Sequence, residues 1–291
     1  MIDFRYHALS LVAVFLALGI GILLGVTLGD SLVSEADKGV RKSLRGDVIE
    51  AREKEREARA EAAERDRLID AAVPILLDDR LAAKRVGIVA TGDLPAKVRD
   101  GTRDAVEGAG GELDSTSALG LPEDLAELAR AGGEDAGETV AEPGLAREYG
   151  SQVGRSLAAG GDLARAFQDD FPGRFRGDYS GADAIVLYRR PPEDVERDGE
   201  RRRQREREAA SAFELGLIQG LRRDGVTVVG VEQTDTEPSQ VEFYEDEGLS
   251  SVDNVDQGAG RAALALALAG TRKGSFGVKD SADRPLPDPA R

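Results

Sequence analysis

Two groups of polar side chains in the second half of the chain have residue types that could do chemistry. The first follows the apolar run 226–231 and begins with Glu232, and the second lies in residues 250–256. Carboxylate oxygens suit hard cations such as calcium and magnesium, and paired carboxylates can serve acid–base catalysis. In so acidic a chain, however, such clusters are more often solvated loops or helix caps. We therefore predict no catalytic residue and no metal site, and instead a partner-recognition edge made of Ser250, Ser251, Asp253, Asn254, Asp256 and Glu232.

Other kinds of chemistry are excluded by residue types that the chain lacks. It has no Cys and a single His at position 7, so its later part can hold neither a Ser-His-Asp triad nor a zinc site of thiolates and imidazoles. The turn 91–95 matches neither the G-x-G-x-x-G fingerprint nor the P-loop pattern, so we predict no nucleotide and no other cofactor. A net charge of −16 argues against nucleic acid and favours a neutral, cationic or protein partner.

The segments that would position the two polar groups are predicted to be alternating strands and helices. Buried-type apolar runs predict three strands, helical patterns lie between and after them, and two shorter segments predict further strands. This order is typical of an α/β domain with a mostly parallel, Rossmann-like sheet, which we place at residues 82–270. The carboxyl ends of neighbouring parallel strands would bring the two polar groups together. The predicted strands are 85–90, 182–188 and 225–231, with 112–116 and 251–255 as the further ones, and the predicted helices are 96–108, 142–159, 204–224 and 260–268.

A charge-free apolar run at residues 8–28 predicts a membrane helix, because about 20 residues span the hydrocarbon core. We assign residues 1–30 as an anchor. A cleaved signal peptide is the alternative, with a weak cleavage site near residues 27–29. Small residues recur at every fourth position and predict a face on which another helix packs closely, giving a homodimer or heterodimer. They are Ala13, Ala17, Gly21, Gly25 and Gly29.

The flanks of this run predict its orientation. Arg5 precedes it, whereas Asp30, Glu35 and Asp37 follow it before the first lysine at position 38. Basic flanks tend to stay in the cytoplasm, so we expect a cytoplasmic amino terminus and an extracytoplasmic carboxy-terminal domain.

Residues 31–81 have the composition of a helical stalk. Charged residues and alanine dominate residues 34–70, and a weak 3,4-spaced seam predicts a coiled coil, with a single solvated helix as the alternative. Pro74 interrupts the helical pattern near its end. At the other end of the chain, Gly, Asp and Pro predict a disordered tail over residues 271–291.

Both ends of the chain resemble a known family. The opening residues 1–7, residues 10–19, the pair Phe243 and Tyr244, and the segments 248–256 and 260–269 resemble the actinobacterial copper transport proteins named for MctB. The family also includes the septal protein SteB of corynebacteria. The resemblance implies a role in copper transport or homeostasis in the cell envelope, or control of cell-wall hydrolysis together with a membrane partner.

The chemistry of copper limits how such a role is carried out. Copper(I) prefers sulfur ligands and copper(II) favours imidazole, but this chain offers only Met1, His7 and no Cys. We therefore expect a non-enzymatic binding or scaffold protein in the envelope. An oligomeric pore that exports copper directly and a carboxylate-dependent envelope hydrolase stay open as alternatives.

Overall fold

The computed structural model describes residues 4–77, 79–191, 200–270 and 273–288, and within them the side chains outside 4–8, 25–43, 70, 73–76, 200–203 and 224. The chain divides into two compact units, Met1–Glu64 and Arg65–Arg291. The predicted boundaries of anchor, stalk and domain stay predictions.

The first unit is a helical rod. Helix α1 (Phe4–Leu77) continues through Pro74, where the sequence predicts an interruption, and ends in the second unit. Its apolar side chains between Leu9 and Leu24 are exposed. No described helix combines the length and the apolar character that a membrane crossing requires.

The charged part of α1 is stabilised along its own surface. Lys54 pairs with Glu50 at 2.8 Å and Arg59 pairs with Glu55 at 2.5 Å, each four residues apart on one helix face. Such exposed pairs contribute about 0.3–0.5 kcal/mol each. They fit a solvated helix, and the coiled coil and the dimer stay predictions.

The second unit alternates strands and helices after the end of α1. Its elements are β1 (Arg85–Ala90), α2 (Ala96–Gly108), β2 (Glu112–Ala118), α3 (Leu125–Ala131), α4 (Ala136–Ala141), α5 (Pro143–Ala159), α6 (Asp162–Asp170), β3 (Phe175–Gly177), β4 (Ala184–Tyr188), α7 (Glu200–Leu221), a 3-10 turn (Arg223–Gly225), β5 (Thr227–Val231), α8 (Val241–Asp246), β6 (Ser250–Val252), α9 (Gly258–Leu268) and β7 (Ser275–Phe276).

The strands form one sheet in the order β3-β2-β1-β4-β5-β6-β7. All pairings are parallel except β2 with β3. The chain order reverses between β1 and β4, as in doubly wound folds. The predicted α/β class with a mostly parallel sheet is therefore confirmed.

Apolar side chains cover both faces of the sheet. In β4, Ile185 and Leu187 face one core, which contains side chains of α5 and α7, whereas Ala184 and Val186 face a second core with α2 and α9. Leu77, at the end of α1, is buried in the second core. The alternation explains why β4 is apolar at every position.

Helices α5 and α7 pack backbone to backbone. A Cβ atom on Gly150 or Gly154 of α5 would overlap carbonyl oxygens of α7, and one on Gly216 or Gly220 of α7 would overlap carbonyl oxygens of α5. Each helix therefore needs glycine at two positions four residues apart. This helix contact was not predicted, although both glycine spacings are visible in the sequence.

The segment after α9 differs from its prediction. Residues 271–291 were expected to be disordered, but β7 pairs with β6, and Phe276 is buried in the second core. The prediction was wrong for residues 273–288 because it relied on their Gly, Asp and Pro content, whereas the buried Phe276 and the buried carboxylates of Glu232 and Asp253 hold the segment. Residues 271–272 and 289–291 lie outside the described residues. We call residues 273–288 the terminal strap.

Candidate functional site

The two polar groups meet at the carboxyl edge of the sheet, as their positions after strands predict. Glu232 follows β5 and Asp253 follows β6, which are parallel neighbours. The amide of Glu232 donates to the carbonyl of Val252 at 2.9 Å, and the amide of Val255 donates to the carbonyl of Glu232 at 3.2 Å. Backbone pairing therefore continues past the strands and fixes the two carboxylates side by side along this edge.

Glu232 is fully buried, and its carboxylate has three donors. Oε1 accepts from the Ser239 hydroxyl at 2.8 Å and from the Lys279 ammonium at 2.7 Å, and Oε2 accepts from the Gln240 amide at 2.5 Å. The same ammonium donates to the carbonyl of Thr236 at 2.8 Å. A buried carboxylate needs such a counter-charge, and here the terminal strap provides it.

Asp253 is also buried and holds the backbone of the terminal strap. Its two oxygens accept from the amides of Val278 and Lys279, both at 2.9 Å. Gly277 has φ +145°, and a Cβ at this position would overlap the Asp253 carboxylate. Glycine is required here for both reasons, because other residues rarely adopt this conformation and none leaves room for the carboxylate.

The remaining four polar residues of the group differ in their burial and in their hydrogen bonds. Asp256 is half-buried, and its Oδ1 accepts from the amide of Thr234 at 2.8 Å and from its hydroxyl at 2.9 Å. Ser250 is half-buried, and Ser251 and Asn254 are buried at about 1 % exposure. Within the described residues, Ser251 Oγ and Asn254 Oδ1 have no hydrogen-bond partner.

These positions correct the picture of an exposed recognition edge. Four of the six predicted residues, Glu232, Ser251, Asp253 and Asn254, are buried, so their side chains do not form an exposed surface. Glu232 and Asp253 bind the strap instead. Lys279 and Gly277 were not among the predicted site residues, because their segment was predicted to be a disordered tail. The apolar residues Phe276 and Val278 on either side of Gly277 were the available signal.

Asp235 and Glu237, which follow β5, are exposed. In the described part of the chain, no group of three or more His, Cys, Asp or Glu side chains is arranged to hold a metal ion.

Of the predicted helix-packing residues, Ala13, Ala17 and Gly21 are exposed in α1, and no atom lies within 4 Å of a Cβ placed on Gly21. Gly25 and Gly29 lie outside the residues whose side chains are described. Pairing through this face stays a prediction.

Tyr244 contacts the carboxyl ends of the neighbouring strands β4 and β5, next to the site. Its hydroxyl lies 3.2 Å from the carbonyl of Leu187 and 3.1 Å from that of Val231, and it accepts from the Arg189 amide at 2.9 Å. Arg189 lies over the Phe243 ring at 4.0 Å from its centroid and pairs with Glu214 at 3.1 Å. Phe243 and Tyr244, which carry part of the family resemblance, therefore make structural contacts with Arg189 and with the ends of β4 and β5.

The buried tyrosines predict a loss of stability in alkali. Burial raises the pKa of Tyr179 from 10.0 to about 12, and it raises the pKa of Tyr149 and Tyr244 as well. Above pH 10, unfolded tyrosine has lost its proton while the folded tyrosine keeps it, so rising pH favours unfolding. Each tyrosine lowers the free energy of unfolding by about 1.4 kcal/mol per pH unit in this window.

Urea unfolding between about pH 9 and about pH 11.5 tests this expectation. Tyrosine absorbance measured in parallel reports ionisation. Stability that stays constant while the tyrosines ionise would contradict the assignment.

A long side chain lies at the reversal between β1 and β4, where open α/β sheets commonly bind ligands. A Cβ on Gly92, just after β1, would lie 2.6 Å from Cδ of Arg190, so this arginine packs directly over the loop. The carboxyl ends of β5 and β6 with the strap across them therefore form the candidate site.

Together these features define an α/β domain with a strapped sheet edge, preceded by a long helix with an exposed apolar stretch. The family model described as "Copper transport outer membrane protein, MctB" matches residues 1–287, and the chain belongs to this family. The resemblance seen at both ends of the sequence is thereby confirmed. No curated protein and no solved structure matches the chain.

Proposed function

We propose that this chain is a membrane-anchored protein of the cell envelope that acts in copper transport by binding a partner protein, without being an enzyme. The observation that carries the proposal is the family match over residues 1–287. The family description names copper transport in an outer membrane, and we extend that role to this chain. A septal role in cell-wall control, which the resemblance also implies, would use the same mode of action.

The binding mode follows from the ligands that copper prefers. Sulfur and imidazole hold copper ions in proteins, but the chain has no Cys, one Met and one His. Glu232 and Asp253 are already bonded to the terminal strap. In this proposal, partner proteins bind the copper, and this chain acts by binding those partners.

The apolar run 8–28 supports anchoring by a single membrane helix. Exposed side chains between Leu9 and Leu24 would face lipid. The charge of the flanks favours a cytoplasmic amino terminus and an extracytoplasmic domain.

A partner helix would pair along the same rod. The stripe from Ala13 to Gly29 supports close helix contact in the membrane, and exposed Leu44 and Val48 offer apolar contacts beyond it. This continuity supports a homodimer or heterodimer through the membrane helix and the stalk.

The first test is the copper content of cells under copper load. We expect a strain that lacks the gene to accumulate more cell-associated copper than the parent, and the full-length gene to restore the parental level. Unchanged copper in the deletion strain would contradict a role in copper transport.

Copper binding by the purified full-length chain tests whether the chain handles copper directly. Because Met1 is the one sulfur ligand and His7 the one imidazole in the sequence, we expect copper(I) to bind no tighter than about micromolar. Tighter binding, together with the expected cellular phenotype, would favour direct copper handling over partner binding.

A further inference from the structure

Positive and negative charges lie on different faces of helix α1 in its charged part. The side chains of residues 44–65 are exposed. Because positions three and four apart share one helix face, arginines gather on one face and most carboxylates on another. The arginine stripe consists of Arg45, Arg52, Arg56 and Arg59, and the acidic stripe of Asp47, Glu50, Glu57, Glu61 and Glu64.

The seam predicted for a coiled coil lies between these two stripes. With Val48 at heptad position a and Leu44 at position d, three arginines of the stripe occupy e positions, directly beside the seam. Leu44 is 58 % exposed and Val48 is 49 % exposed. The small side chains of Ala51 and Ala58 continue the seam. A helix that packs on this seam would therefore meet arginine side chains along one of its flanks.

The arginine stripe carries positive charge that the helix itself does not balance. Arg59 pairs with Glu55 of the seam at 2.5 Å, and the other three arginines form no ion pair with a described side chain. The acidic stripe, by contrast, contains its own cation, Lys54, which pairs with Glu50 at 2.8 Å. A basic flank in a chain of net charge −16 fits an acidic partner.

A second copy of the chain fits this seam poorly. In a parallel coiled coil, each g residue faces the e residue about five positions later in the other helix. On each side of a parallel homodimer, one such pair would attract and two would repel. The attractive pair is Asp47 with Arg52, and the repulsive pairs are Lys54 with Arg59 and Glu61 with Asp66. Charges at these positions set the choice of partner, so the seam favours a different chain.

We propose that the seam and the arginine stripe of helix α1 bind a parallel helix of a different membrane-anchored protein, which carries carboxylates on the flank that faces the stripe. This inference rests on the proposed function, because anchoring in one membrane makes the two helices parallel. The stalk then forms a heterodimer and not a homodimer. The apolar seam provides the contact area, and the arginine stripe selects the partner.

Peptide binding to the full-length chain in detergent micelles tests this surface. The probe is a labelled peptide of about four heptads with Leu at positions a and d and Glu at e and g, and its counterpart has Lys in place of Glu. We expect the Glu peptide to bind about tenfold or more tighter than the Lys peptide in fluorescence anisotropy. The double variant R45E/R52E should lose this preference. Equal binding of the two peptides to the wild type would overturn the assigned charge of the partner.

Two matched controls separate the stripe and the seam from the rest of the chain. R67E/R147E changes the net charge equally, at exposed arginines outside the seam and the stripe, and should keep the preference for the Glu peptide. Val48→Ser should weaken binding about fivefold or more, whereas Ile49→Ser, at 51 % exposure outside the seam, should not. Equal effects of V48S and I49S, or equally tight binding of polyglutamate, would overturn a helix as the partner.

Single cysteines test the exclusion of a second copy, because the chain has no Cys of its own. Ala51 lies in the seam, and Ala60 lies on the opposite face of the helix. We expect neither A51C nor A60C to form a disulfide-linked homodimer efficiently when the full-length chain is mildly oxidised in micelles. If A51C forms clearly more dimer than A60C, the seam binds a second copy and the heterodimer is overturned.

A cellular arm separates this inference from the proposed function. In the deletion strain under copper load, the R67E/R147E gene should restore the parental copper level and the R45E/R52E gene should not. Full restoration by R45E/R52E would overturn the stripe as a docking surface while leaving the copper role intact. A deletion strain with normal copper would overturn the copper role, and the peptide measurement would still decide whether the stripe binds an acidic helix.

Discussion

Replacing Gly216 by Val is expected to destabilise the α/β domain by about 3 kcal/mol or more, among the largest effects of any single substitution in this chain. A Cβ on Gly216 would overlap the carbonyl oxygen of Arg147 and lie 3.0 Å from the Ser151 amide nitrogen, both in α5. These are backbone atoms of a regular helix and cannot turn aside like a side chain. The two helices must therefore move apart, and the packing of Tyr149, Val153, Phe213 and Leu217 loosens with them.

Gly144→Ala is the matched control for this substitution. Gly144 lies in the first turn of α5, and no atom lies within 4 Å of a Cβ placed there. Alanine favours the helix over glycine, so this variant should be unchanged or more stable by up to about 1 kcal/mol. Urea unfolding of both full-length variants, followed by tyrosine fluorescence, measures the difference. Similar stability of G216V and wild type would show that the close approach of α5 and α7 is not needed.

Local sequence patterns predict the elements of this fold well where one physical signal dominates. The apolar run 85–90 and the helical pattern 96–108 correspond to β1 (Arg85–Ala90) and α2 (Ala96–Gly108) without a shift. The prediction for β6 was less accurate, at 251–255 against Ser250–Val252, because the strand ends before the buried polar residues Asp253 and Asn254.

The close packing of α5 and α7 was not predicted, for a different reason. Each of the two helices carries glycines four residues apart, and the apolar run at the amino terminus has the same spacing. In the α/β domain this spacing predicts a close helix contact only once it is known that α5 packs against α7. Spacing within one helix does not name the partner helix. Tertiary placement therefore had to come from the structure.

The candidate site was predictable in its location and not in its burial. The positions of Glu232 and Asp253 after strands place them at one edge of the sheet. Their burial depends on contacts with Val278 and Lys279, which come about 25 residues or more after Asp253. These two residues lie among Gly and Pro residues that normally indicate disorder. The contacts of two buried carboxylates outweigh that local preference.

Replacing Lys279 by Met is the second change with a large expected effect. Glu232 has no exposed side-chain surface, so its carboxylate would lose its counter-charge without gaining water, at a cost of about 3 kcal/mol. Glu232→Gln should cost less, because the Lys279 side chain is 16 % exposed and its ammonium can reach solvent. The double variant E232Q/K279M should be more stable than K279M, since it no longer contains an unpaired buried charge.

The control for the terminal strap is Lys273→Met. The Lys273 ammonium donates to the carbonyl of Gly248 at 2.8 Å from an exposed position, so its loss should change stability by no more than about 0.5 kcal/mol. Urea unfolding gives the stabilities, and amide exchange of residues 273–288 shows whether the strap is released. If the effects of E232Q and K279M simply add in the double variant, the two side chains are not coupled, and the ion pair does not hold the strap. A strong positive coupling, with faster exchange in K279M than in K273M, would establish that the buried pair of Lys279 and Glu232 holds the terminal strap against the edge of the sheet.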